Sequence, residues 1–180
     1  MLIVSIVILF ILSFQVTPVA LGIDLRQKKP FVILSGILFL TLSQVLLFLL
    51  GIWLGNRFMH LMDKIQHFVL FVGFTLIAVR FVMEAFAVRK GERTYQIDKP
   101  TLFIFPSIAQ AINTFLAGIL FFFLPVTLFR DIVYLALFSF VLTLLFLFVR
   151  TEKAALSAIS LMYLAGGVFM GILSFYFLFM

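Results

Sequence analysis

Six long apolar runs separated by short polar segments set the pattern of the chain. The runs cover residues 2–22, 31–54, 67–88, 101–123, 131–149 and 155–179. Since about 20 apolar residues of helix cross the core of a bilayer, each run is long enough to span it. The runs are continuous rather than alternating, which argues against the short strands of a membrane barrel. The pattern therefore predicts an all-α, polytopic membrane protein with six transmembrane helices.

The composition supports the same class of protein. Of the 180 residues, 65% are hydrophobic and 11% are charged, and the mean hydropathy is +1.31. An average soluble domain is nearer half apolar, and a soluble fold of this size could not cover so much apolar surface. We therefore expect residues 1–180 to form one transmembrane domain whose main partner is the lipid bilayer.

The residue types also exclude or disfavour several kinds of chemistry. The chain has no cysteine, which excludes disulfides and cysteine-ligated metal or iron–sulfur centres. It contains no phosphate-binding glycine loop, catalytic triad or metalloprotease motif. The sequence thus predicts that the protein is not an enzyme and holds no cofactor. Because the basic residues lie in short loops between apolar runs, it predicts no nucleic-acid partner either.

The loops between the runs differ in basic charge. The first, third and fifth loops carry nine Lys and Arg residues, whereas the second and fourth carry three. Basic loops stay in the cytoplasm, so this asymmetry predicts that both termini lie outside. The expected location is the bacterial cytoplasmic, or inner, membrane.

The third loop, residues 89–100, is the longest polar connection and divides the chain into halves at 1–88 and 101–180. Three spans per half would put the halves in opposite orientations, as in the inverted repeats of many secondary transporters. Weak self-similarity supports the division, because AVRFVME in the third run aligns with AGGVFMG in the sixth. We therefore expect two inverted three-helix repeats.

The first run contains an unusual polar cluster, LSFQVTPVALG, with Gln15, Thr17, Pro18 and Gly22. Proline removes a helical hydrogen bond, and in a membrane the freed groups need other partners. Two interpretations remain open. The cluster either bends a helix whose polar side chains satisfy the local backbone, or it forms a broken-helix site where Gln15 and Thr17 face a substrate.

The fourth run has the same combination of an amide, a proline and a glycine in Asn113, Pro106 and Gly118, with Gln110 one turn before Asn113. Buried amides in membranes prefer the interior of the helix bundle. We expect Gln15 and Asn113 to face each other across its centre, with helix breaks at the two prolines and at Gly22 and Gly118.

The third run carries two charged residues, Arg80 and Glu84, which share a helix face. An ionisable residue at this depth is a functional candidate by default. The alternative, which we favour, is an internal ion pair that helps to pack the bundle. His60 and Asp63 in the second loop and His67 at the start of the third run do not have a known metal-ligand spacing. The alternatives are a cation site at the outer surface and residues of the membrane interface, and we favour the second.

Further motifs resemble those of the manganese efflux pump family, which is MntP-like and lies within the LysE-type transporter superfamily. SQVLLFLLGIWLG, IQHFVLF and RFVMEAF resemble the second and third helices of that family, and AQAINTFLAG resembles its fourth. The matching positions are Gln44, Gly51, Gly55, His67 and Glu84. The resemblance implies a membrane transporter for manganese or another divalent cation.

The sequence differs from this family at two important positions. The two membrane-embedded aspartates of the family align with Gln15 and Asn113. The proline of the second helix is replaced by Phe48, and Pro18 is an addition. Divalent cations favour anionic oxygen ligands, whereas amides supply dipoles without charge and cannot carry a proton. The substrate is therefore either still a metal ion or a less charged small solute.

Two function hypotheses follow. The first is a secondary transporter whose central site is lined by Gln15 and Asn113, with Thr17, Gln44 and Gln110 as helpers. The second is a transport-incompetent paralogue that serves as a membrane scaffold or complex subunit. The sequence leaves the metal ligands, the coupling ion and the oligomeric state open.

Overall fold

The structure is a computed structural model that describes residues 2–22, 30–92, 100–124, 127–149 and 153–179. Over these residues the protein is helical and contains no strand. Five segments are long and apolar enough to cross a membrane: Leu2–Leu21, Pro30–Arg89, Ile104–Phe123, Leu128–Leu147 and Lys153–Phe179. The prediction of an all-α membrane protein is therefore confirmed.

Several of these segments are composed of more than one helix. The first contains α1 (Leu2–Ser13), a 3-10 turn at Phe14–Val16 and α2 (Thr17–Leu21). The second, of 60 residues, contains α3 (Pro30–Phe58), a 3-10 segment at Met59–Ile65 and α4 (Gln66–Arg89). The third follows a 3-10 turn at Pro100–Phe103 and contains α5 (Ile104–Gln110), α6 (Ile112–Leu120) and a 3-10 turn at Phe121–Phe123. The last two are single helices, α7 (Leu128–Leu147) and α8 (Lys153–Phe179).

Helices α4 and α8 form an antiparallel pair. The Ser160 hydroxyl donates to the Ala85 carbonyl oxygen at 2.8 Å near one end of the pair. Near the other end, the rings of Phe74 and Phe177 stack with their centroids 5.1 Å apart. Between these two points, apolar packing such as that of Phe81 against Tyr163 is joined by a hydrogen bond from the Thr75 hydroxyl to the Ser174 Oγ atom at 3.1 Å. Both kinds of contact are common between helices that associate inside a membrane.

A second close contact joins α3 to α6, and it changes the interpretation of Gly118. We expected Gly118 to break a helix, but it lies within α6. A Cβ atom there would stand 2.5 Å from the Phe48 carbonyl oxygen and 3.1 Å from the Gly51 Cα atom. Gly55, one turn further along α3, is equally restricted by the backbone of Ile119. These glycines therefore allow the two backbones to approach, as small residues commonly do between membrane helices.

The outer surface of the bundle is covered by large apolar side chains. On α3 an exposed stripe runs at four-residue spacing through Leu34, Leu38, Leu42, Leu46 and Leu50. Such a surface would be unstable in water and is suited to lipid. Trp53 is exposed towards the end of the same helix, where an aromatic belt residue is expected.

A candidate solute site between two interrupted helices

The first helical segment is interrupted around Gln15, which is buried at the centre of the 3-10 turn. Pro18 has no N–H to donate to the Phe14 carbonyl oxygen, and the Thr17 hydroxyl donates to that oxygen instead at 2.8 Å. The Gln15 Nε2 group donates to the Leu12 carbonyl oxygen at 3.0 Å. Thr17 therefore satisfies the local backbone, and this part of the cluster follows the bent-helix interpretation.

The segment Ile104–Phe123 is interrupted at Ala111. Its φ of −82° and ψ of 7° lie outside the α-helical region, and its N–H donates to the Ile108 carbonyl oxygen at 3.1 Å. The break that we expected at Pro106 is not there. Pro106 is the third residue of α5, and a proline in the first turn costs no intrahelical hydrogen bond. The other expected break, at Gly22, coincides with the end of α2.

A polar cavity lies between the two interruptions. Its walls come from both interrupted segments and from α4 and α8, and they comprise Gln15, Pro18, Val19, Arg80, Glu84, Pro106, Ala109, Gln110, Asn113 and Tyr163. The cavity volume is about 30 Å³, measured as the space open to the centres of water molecules. Since one water needs roughly 10–15 Å³ by this measure, the cavity is of the size of an ion or of two water molecules.

Several polar atoms of the lining residues are buried without a hydrogen-bond partner among the described residues. They are Gln15 Oε1, Asn113 Oδ1, both amide atoms of Gln110 and Arg80 Nε. Buried polar groups in proteins are nearly always paired, and each exception calls for an explanation. Five such atoms around one cavity are best explained by a polar solute or by water that they bind.

A hydrogen-bond chain fixes the position of Gln15. Its Nε2 group donates to the Thr114 Oγ1 atom at 3.2 Å, and the Thr114 hydroxyl donates in turn to the Gln44 Oε1 atom. All three side chains are buried. Since its Nε2 group is used in this way, the carbonyl oxygen of the Gln15 amide stays available to the cavity.

The structure therefore brings together most of the residues that we selected from the sequence. Gln15, Gln110, Asn113, Arg80, Glu84, Pro18 and Pro106 all line the cavity. Gln44 lies behind Thr114, outside the lining, and Thr17, Gly22 and Gly118 are not part of it.

Two residues of the site were missed from the sequence. Thr114 links Gln15 to Gln44, and Tyr163 lines the cavity from α8. The residue type of neither pointed to the site. Thr114 was indicated only by its position next to Asn113, and Tyr163 only by its position in the sixth run, which packs against the third. On α8, near Tyr163, Gly166 and Gly167 pack against Phe81 and Val82 of α4.

His60 and His67 do not line this cavity. His60 and Asp63 are exposed on the 3-10 segment, and His67 Nδ1 lies 3.3 Å from the Phe177 carbonyl oxygen. Over the described ranges, no three His, Asp or Glu side chains are grouped closely enough to hold a metal ion. The cavity lining itself offers the oxygen atoms of three amides and one carboxylate, those of Gln15, Gln110, Asn113 and Glu84.

Comparison with known families supplies the remaining observation. The model of a family described as "Putative manganese efflux pump" matches residues 26–178. The chain belongs to the manganese efflux pump family. No curated protein and no solved structure shows significant similarity to it. The match includes Arg80, Glu84, Gln110 and Asn113 but begins after Gln15, so membership does not depend on the first helix.

Membership in the manganese efflux pump family makes the charge of the cavity notable. The lining of this family member carries one carboxylate, Glu84, and one guanidinium, Arg80, besides three uncharged amides. Its formal charge is therefore zero. Amide oxygens can coordinate a hard cation, but they cannot offset two positive charges.

Proposed function

We propose that this protein is a multi-pass membrane transporter of the manganese-exporter type, whose solute passes through the cavity between Gln15 and Asn113. One observation carries the proposal: two interrupted helical segments, one from the first and one from the second part of the chain, meet at a cavity where amide oxygens have no hydrogen-bond partner among the described residues. Transporters commonly bind their substrates at such helix breaks near the centre of the membrane.

The architecture that we propose has six spans in two inverted halves, residues 1–88 and 101–180. The helix contacts support it. Helix α3 contacts α5 and α6, and α7 correspondingly contacts α1 and α2. Helix α4 contacts α6, and α8 contacts α1 and α2. α4 pairs directly with α8, and α3 with α7. Exchanging the halves preserves most of these pairs, as an approximate two-fold axis would, although the contact between α2 and α3 has no counterpart of equal extent between α6 and α7. In this architecture α3 and α4 cross the membrane separately.

We further propose that the protein lies in the bacterial cytoplasmic membrane with both termini outside. The support is the distribution of basic residues, nine in the odd-numbered loops against three in the even-numbered ones. Most of the third loop, which would be cytoplasmic, lies outside the described residues.

The solute is proposed to be ion-sized and of low charge. The cavity volume of about 30 Å³ suits a small ion, whereas the formally neutral lining does not balance a divalent one. Taking an unbalanced ion out of water is costly, on the order of several kcal/mol. A manganese ion would therefore be a poorer substrate here than in a relative with two embedded carboxylates.

A second function, that of a membrane scaffold or complex subunit without transport, is supported by the same replacement. The family resemblance would place two aspartates at Gln15 and Asn113, and this hypothesis holds that their charge was lost while the helical architecture was kept. Under this hypothesis the amides serve only to hold the interrupted helices together. The two functions differ in whether the cavity ever opens to water.

A rescue experiment tests the proposed function. The wild-type chain should not restore growth of a manganese-sensitive exporter mutant, whereas the double variant Gln15→Asp/Asn113→Asp should restore it and lower intracellular manganese. Each single variant should have a smaller effect, because both carboxylates act on one ion. Membrane levels of every variant are measured by immunoblot.

Full rescue by the wild-type chain would show that amides suffice for manganese and would contradict the proposed low-charge substrate. Failure of a well-expressed double variant would favour the scaffold. A Gln44→Asp variant provides the control, since Gln44 is buried nearby but does not line the cavity.

A further inference from the structure

Arg80 is placed unusually for a charged residue. It lies on α4, nine residues before the helix ends at Arg89, which corresponds to about 13 Å of helix. Its side chain lines the cavity, and its Nε atom is buried without a hydrogen-bond partner among the described residues. A guanidinium remains protonated at any physiological pH. The cavity therefore contains a permanent positive charge attached to the protein.

This charge stands beside the atoms that would otherwise attract a cation. Gln15 Oε1, Gln110 Oε1 and Asn113 Oδ1 are buried oxygens of the lining, and the Glu84 carboxylate belongs to the same wall. Without Arg80, the lining would have the oxygen-rich and anionic character that hard cations select. With Arg80, the positive charge of its guanidinium cancels the negative charge of the Glu84 carboxylate, and the formal charge of the lining is zero.

We propose that Arg80 is the specificity-determining residue of this cavity, and that its charge excludes divalent cations from the oxygens of Gln15, Gln110, Asn113 and Glu84. The proposal rests on the proposed function of the cavity as a solute site. Repulsion between a fixed guanidinium and an incoming divalent ion is strong, because the surrounding protein and lipid screen it weakly. The side chain itself acts as the resident cation, and Glu84 is its counter-charge in the lining.

The test measures binding of Mn²⁺ to the purified full-length protein in detergent, from the loss of the free-ion signal in electron paramagnetic resonance. Arg80→Gln should lower the Kd for Mn²⁺ at least about tenfold relative to wild type, because one charge of repulsion is removed. Arg80→Met provides an independent neutral replacement that keeps most of the aliphatic stem. Arg80→Lys keeps the charge and should bind as weakly as wild type.

Two further variants make the result specific. Adding Glu84→Gln to Arg80→Gln should abolish the gain, since the lining returns to zero formal charge. Arg89→Gln, on the exposed end of the same helix, should leave the Kd unchanged, because Arg89 does not line the cavity. Thermal unfolding of each purified variant shows whether it is folded.

The double variant Gln15→Asp/Asn113→Asp separates failure of this inference from failure of the proposed function. If it binds Mn²⁺ but both neutral Arg80 variants do not, Arg80 does not determine specificity and the cavity is still a solute site. If no folded variant binds Mn²⁺, the cavity is not a cation site in any charge state and both proposals fail. Tight binding by the wild type would overturn the role of Arg80 alone.

Discussion

Thr114 connects three membrane segments through one hydroxyl group. It accepts a hydrogen bond from Gln15 on the first segment, and it donates one to Gln44 on α3. The sequence indicated Gln15, Gln110 and Asn113 because an amide in an apolar run is conspicuous. It did not indicate Thr114 or Tyr163, since hydroxyl side chains are common in membrane helices and usually bond to their own backbone.

Replacing Thr114 by valine should destabilise the protein by about 1–2 kcal/mol, because Gln15 and Gln44 would lose their shared buried partner. The matched control is Thr143→Val. Thr143 is equally buried, but its hydroxyl donates only to the Ser139 carbonyl oxygen of its own helix. Thermal unfolding in detergent compares the two, and an equal loss in both variants would contradict a bridging role for Thr114.

At the scale of the helix, the boundaries of the apolar segments were predictable and the position of the break in the fourth run was not. The run predicted at 67–88 corresponds to α4 at Gln66–Arg89, because hydropathy directly reflects which residues lie in lipid. The break at Ala111 has no sequence signal. Pro106 is tolerated in a first turn, and Gly118 is used for close packing. Local propensity cannot separate these uses of proline and glycine.

The contact between α3 and α6 gives a prediction at this scale. Gly118→Ala should separate the two backbones and cost about 1–3 kcal/mol, because the new methyl group has no room beside the Phe48 carbonyl oxygen. Gly171→Ala is the control, since the nearest atom to a Cβ there is 4.0 Å away. Size-exclusion profiles of detergent extracts should show a loss of monodisperse protein for the first variant only. Normal profiles for both would mean that the contact is looser than described.

For the whole molecule, the asymmetry of basic loops gives a prediction about orientation. Reporter fusions after residues 95 and 180 should report opposite sides of the membrane, with the first in the cytoplasm. The inverted repeat needs this result, because each half must contain an odd number of spans. A cytoplasmic signal from the C-terminal fusion would contradict both the orientation and the repeat.

How the two halves meet could be predicted only in outline. The sequence pattern indicated that Gln15 and Asn113 occupy corresponding places, and the structure has them lining one cavity. Arg80 and Glu84 also line this cavity, because the rotation of α4 about its own axis turns them towards the interrupted helices. The hydrophobic pattern does not determine that rotation, since apolar residues surround most of each helix.

In a transporter the cavity between the interrupted helices must open to water, and substituted cysteines test this most directly. The natural chain has no cysteine, so a single introduced thiol is the only target for a hydrophilic thiol reagent. Gln110 lines the cavity, whereas Ile108, two residues earlier on α5, is 51% exposed on the outer surface that we assign to lipid. Thiols react as thiolates, which form in water and not in lipid.

In intact membranes, Gln110→Cys should react with a membrane-impermeant methanethiosulfonate on the order of ten times faster than Ile108→Cys, because only a thiol in an opening cavity ionises and meets the reagent. Full labelling of both variants after denaturation confirms that each carries an available thiol. Equal, negligible rates in the native protein would mean that the cavity stays closed, and would contradict the transporter in favour of the scaffold.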